Sequence, residues 1–116
     1  MAEEKALRYN KQKRKWSLVH FKSLEPMIQV LEFGAEKYAP DNWKKPMDRK
    51  ELLECLQRHV AALMDAVTDQ DKLDPESLID HIGHVQCNAM FYAYHHLVKK
   101  EDALPKTIQE LPGIKV

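Results

Sequence analysis

Laid on a helical wheel, Leu24, Met27, Ile28, Leu31, Gly34, Ala35 and Tyr38 fall on one face, and this 3.6-residue period recurs in two later segments. It is the feature that most limits the fold. Strands would need period two and tight hairpins, and the 116-residue chain has only three glycines with which to turn them. The pattern predicts an all-α domain, a bundle of three to four helices. The length suffices for one domain with a modest core. Residues 1–100 read as that domain with a basic N-terminal arm, and residues 101–116, with two prolines and a glycine, as a C-terminal tail.

The first helix is expected over about Leu24 to Tyr38, with Ser23 as N-cap and Pro26 in its first turn. Gly34 costs about 1 kcal/mol against alanine inside a helix, so a close backbone approach is expected there. A proline-bracketed loop carrying Trp43 follows. Asp48 and Glu51 then form a capping pair ahead of a second helix, whose core face is Leu52, Leu53, Leu56, Val60, Leu63 and Met64. Asp74 as N-cap and Pro75 at N1 announce a third helix running to about Lys99.

That third helix is apolar nearly all round except for one line. His81, His84, Asn88 and His95 fall within about 60° of one another. Such a line reads either as a core hydrogen-bond network or as a site between helices, where bundles build metal and ligand centres. His81 and His84, three residues apart, can reach one locus. Carboxylate oxygens alone would suit Mg²⁺, and added imidazole would favour Mn²⁺, Co²⁺ or Zn²⁺.

Charge narrows the partners. Eighteen basic and eighteen acidic residues cancel, so no nucleic-acid partner is expected, although Lys5, Arg8, Lys11, Lys13, Arg14 and Lys15 crowd the N-terminus. No apolar run approaches the roughly 20 residues of a membrane span, and the N-terminus lacks a signal-peptide core, so no membrane partner is expected either. Cys55 and Cys87 sit inside expected helices without metal-type spacing and read as small buried thiols of a reducing, cytoplasmic compartment.

The blocks RYNKQKRKWSL, VLEFGAEKY, DNWKK, ECLQRH, DPES and HIGHVQCNAMF, in this order from about Arg8 to Met90, resemble the phage and bacterial dATP/dGTP diphosphohydrolase family. That family is associated with the MazG-like all-α nucleoside triphosphate pyrophosphohydrolases. The resemblance implies a metal-dependent enzyme that hydrolyses dGTP or dATP to monophosphate and pyrophosphate, using Mg²⁺ (or Mn²⁺), in a bundle completed as a dimer or tetramer. A non-catalytic module that sequesters nucleotides on the same scaffold is the alternative. The MazG-like signature pairs carboxylates on successive helices; Glu51-x-x-Glu54 and Asp80 stand where those would fall, with Ser77 at the position of the missing glutamate. On this basis the expected metal group is Glu32, Glu36, Glu54, Asp80 and His84. His59 and His81 are the expected proton carriers or orienting groups. Arg8, Lys11 and Lys37 would hold phosphates, Trp43 would stack on the base, and Asn88 would read a purine edge or orient a histidine.

Overall fold

The computed structural model describes residues 3–9 and 11–98. Among these are three α-helices: α1 (Glu25–Lys37), α2 (Arg49–Asp65) and α3 (His81–Ala93), the last continued by a π-helical turn, Tyr94–Val98. No strand forms among them; a single antiparallel bridge joins Leu73 to Asp80. The expected all-α class is what the chain adopts. The segment expected as a tail, residues 101–116, lies outside the described residues.

α1 begins one residue later than expected. A 3₁₀ turn, Phe21–Leu24, feeds directly into it, and Leu24 occupies the N-cap without a side-chain bond. Ser23 instead uses its hydroxyl on His20 Nδ1, 2.6 Å away. α2 starts as expected: the Asp48 carboxylate accepts from the Glu51 N–H at 3.0 Å. Such a cap is worth about 1 kcal/mol.

α2 and α3 pack antiparallel. Three contacts descend one helix as they climb the other: His59 with His81, Cys55 with Asn88, Arg49 with Tyr92. α1 crosses α3 at a close approach, but the glycine responsible is Gly83. A Cβ there would lie 2.4 Å from the Pro26 carbonyl oxygen, whereas one added at Gly34 would meet nothing within 4 Å. Beside this crossing Cys87, the most deeply buried side chain among the described residues, points its thiol at the Met27 carbonyl. Burial pushes that thiol up to about 12, which makes it inert near neutrality. Both cysteines are free.

The third helix departs most from expectation. It begins at His81, capped by Asp80, rather than at Pro75, capped by Asp74, because the Asp74–Ser77 segment closes on itself. Asp74 N–H donates to the Ile79 carbonyl, and Leu78 N–H donates to the Asp74 carbonyl with Leu78 in the left-handed region at φ 61°. A β-branch-free residue at positive φ stops the helical path. Asp80 then supplies a fresh cap by accepting from the Ile82 N–H at 2.8 Å. The detour holds Asp74, Glu76 and Ser77 ahead of the first turn of α3 instead of winding them into it.

Candidate functional site

The detour places the Asp74 carboxylate against the His81–His84 turn. Asp74 Oδ2 accepts from the Ser77 N–H at 2.9 Å and from the Ser77 hydroxyl at 3.1 Å. The Ser77 oxygen lies 2.8 Å from His84 Nε2. A hydroxyl has one proton, and here the carboxylate takes it, so His84 donates from Nε2 and keeps Nδ1 as an acceptor. Serine thus stands between histidine and aspartate. A nucleophilic triad needs histidine in the middle, so this is a positioning relay and not an activated serine.

His59 reaches the same place from α2. Its ring stacks on His84, with centroids 4.5 Å apart and planes 7° off parallel, while its Nδ1 lies 2.7 Å from His81 Nδ1. His81 is 7 % exposed and His59 half-buried. Ligand atoms of His59, Asp74 and His81 all lie within 4.8 Å of one another. Burial first, then the neighbouring His84 and His81, holds His59 below the ordinary imidazole value. Burial likewise lowers His84, against the pull of Asp74. For Asp74 burial acts upward, yet the Ser77 hydrogen bonds and the His84 and His59 charges together leave it below the usual carboxylate value. His59 and His84 therefore stand neutral and Asp74 ionised near neutral pH.

Beside the cluster opens a cavity of about 550 Å³. Asp74, Glu76 and His84 form part of its wall, with Glu32, Phe33 and Lys37 of α1 and with Trp43 and Phe91. Trp43 and Phe91 stack with centroids 5.1 Å apart and planes 21° off parallel. The Trp43 carbonyl accepts from His95 Nε2 at 2.7 Å, which ties the loop to the π turn. Such turns recur at functional sites. Lys37 pairs with Glu76, and its ammonium also sits over the Phe33 and Tyr38 rings. The bond to Glu76, then that to Tyr38, raises Lys37 above the ordinary lysine value, so it is fully charged.

Of the residues expected at a site, the fold brings Glu32, Lys37, Trp43 and His84 to this cavity, and sets His59 and His81 directly behind its Asp74 wall. It places the others elsewhere. Glu36 and Glu54 lie on exposed faces of α1 and α2. Asp80 is engaged as the α3 cap. Asn88 turns toward α2, its amide bonded to the His84 carbonyl at 2.8 Å and approaching Cys55 Sγ at 3.6 Å. Arg8 and Lys11 are exposed in the N-terminal segment. Sequence reasoning missed Asp74, Glu76 and Ser77, which it read as a helix start, and Phe91. The signal was present: D-P-E-S stands as a block of its own in the resemblance.

No curated protein and no solved structure matches the chain. The profile of one protein family, described as dATP/dGTP diphosphohydrolase, N-terminal, matches residues 3–103. That span takes in all three helices, the cavity wall and the histidine cluster, and by it the chain belongs to the dATP/dGTP diphosphohydrolase N-terminal family.

Proposed function

We propose that the cavity binds a purine deoxynucleoside triphosphate and hydrolyses it to the monophosphate and pyrophosphate. The observation that carries this reading is the make-up of the cavity wall, which holds both a stacked aromatic pair, Trp43 and Phe91, and the polar groups Lys37, Glu32, Glu76, Asp74 and His84. A flat apolar base and a charged triphosphate need both kinds of group. Family membership supports it independently.

In the reaction a water oxygen attacks the α-phosphorus, the bond from that phosphorus to the bridging oxygen breaks, and pyrophosphate leaves. Lys37 supplies positive charge to the phosphates, exchanging its Glu76 partner for them. His84, neutral near pH 7 and with Nδ1 free of a proton, accepts the proton from water. Trp43 stacks against the base, its loop held by His95. The oxygen donors Glu32 and Glu76 fit Mg²⁺ or Mn²⁺, which commonly take one or two carboxylates and fill the rest of their shell with water and phosphate. Bound there, the ion would neutralise triphosphate charge.

The test is pyrophosphate release from each of the four deoxynucleoside triphosphates with Mg²⁺ and with Mn²⁺. Release from dGTP or dATP, reduced about 10²–10⁴-fold by His84→Ala, is the expected result. Trp43→Ala should raise KM with less effect on kcat. Saturable binding of a purine nucleotide that is returned intact would sink catalysis and leave a nucleotide-sequestering module.

A further inference from the structure

Behind the cavity wall, three side chains from three separate segments converge: His59 from α2, Asp74 from the closed turn, and His81 from the start of α3. We propose that they form a binding site for a borderline divalent transition ion of the Zn²⁺ or Co²⁺ class, distinct from any Mg²⁺ that accompanies a nucleotide.

The donor set is the first argument. Two imidazole nitrogens and one carboxylate oxygen suit zinc, cobalt and nickel, whereas Mg²⁺ demands an octahedral oxygen shell. Reach is the second. The three donor atoms already lie within 4.8 Å of one another. Two nitrogens on a tetrahedral Zn²⁺ with bonds of 2.0–2.1 Å sit about 3.3 Å apart. The His59 and His81 Nδ1 atoms, now 2.7 Å apart across a shared proton, need only a small ring rotation to admit an ion in its place. The third is support around the ligands. Ser77 fixes the Asp74 oxygen through two hydrogen bonds, and the His84 ring lies flat against His59. Orienting partners of this kind are what metal ligands ordinarily have.

This site does not depend on hydrolysis, and the experiment separates the two. The untagged full chain, stripped with a chelator, is titrated with Co²⁺ and followed by visible ligand-field absorption. One equivalent per chain is expected, displaced by Zn²⁺ and untouched by an about 100-fold excess of Mg²⁺. Asp74→Asn keeps an oxygen for the Ser77 N–H but removes the charge, and His59→Ala removes a nitrogen; both should abolish saturable uptake. Ser77→Ala should weaken it about 10- to 100-fold. Absence of stoichiometric uptake by the unaltered chain overturns the site. So does unchanged uptake by His59→Ala with native circular dichroism. Uptake without pyrophosphate release from any nucleotide leaves the site standing and removes the hydrolase reading. Release with Mg²⁺ but no Co²⁺ or Zn²⁺ uptake does the reverse.

Discussion

Two glycines carry opposite consequences although both lie in helices. At Gly83 the α1 backbone fills the space a Cβ would take, with the Pro26 carbonyl oxygen and carbon at 2.4 and 2.7 Å. Backbone cannot swing aside as a side chain can, so Gly83→Ala must push α1 away from α3. A cost of about 1–3 kcal/mol is expected, typical of overpacking. It should also disturb the histidine cluster, because His81 and His84 flank the glycine. Gly34 faces open space, and alanine there should stabilise the protein by up to about 1 kcal/mol through helix propensity. Chemical denaturation of the two variants should therefore move the midpoint in opposite directions. A destabilised Gly34→Ala, or a neutral Gly83→Ala, would contradict the crossing described here. From sequence alone the close approach was assigned to Gly34, because its helical face was plain and the partner of α3 was not.

At the level of elements, helix identity was legible and the entry into α3 was not. The 3.6-residue period and the Asp48 capping pair located α1 and α2 to within about two residues. The same reasoning applied to Asp74 and Pro75 began α3 six residues too early, since capping chemistry makes a single turn as readily as it opens a helix. What ended that turn was Leu78 at positive φ and the return bond from Asp74 N–H to the Ile79 carbonyl, which depend on no local propensity. The polar line on α3 was visible, yet its partners were not. His59 was expected as a proton carrier or orienting group but not as a ring stacked on His84, and the DPES turn that completes the cluster was read as helix. This assembly sets a pH dependence. His59 and His84 are held below the ordinary value of 6.5, so in the metal-free protein the unfolded chain takes up protons first as pH falls. Stability is full above about pH 6.5 and declines below it. The Asp74 contribution, from a lowered carboxylate, persists through that window and is lost only at lower pH, as pH falls through its folded value. Thermal melts between pH 7.5 and 5.5 with chelator present should show Tm falling. The double variant His59→Gln, His84→Gln should flatten that slope; a slope unchanged in the double variant would assign the effect elsewhere.

For the molecule as a whole, the described residues bury more polar side chains than apolar ones. Leu52 and Cys87 are the buried apolar residues, against His81, Asn88 and His95. Meanwhile Met64 is 80 % exposed, Val67 90 %, Leu78 66 % and Ile82 38 %. Because α2 and α3 run antiparallel, these four belong to one end of the pair, where α2 leaves and α3 begins. Among the described residues no helix is long and apolar enough to cross a membrane, so a bilayer-spanning arrangement of these helices does not account for the surface. A second copy of the chain would, through a self-complementary two-fold contact, the commonest kind between like chains. Each of these side chains, fully buried, would contribute about 1.5–3 kcal/mol. We therefore expect the solution mass by light scattering to be a multiple of 13.6 kDa, with Tm rising with concentration. Met64→Lys with Ile82→Glu should shift the mass toward one chain and lower Tm. The histidine cluster ties this end of the pair to the site, because His81 precedes Ile82 and His59 lies on α2 just over a turn before Met64. Loss of assembly should therefore also weaken the Co²⁺ uptake expected of His59, Asp74 and His81. A mass of 13.6 kDa at every concentration would mean that the helical pair stands alone with its apolar end in water.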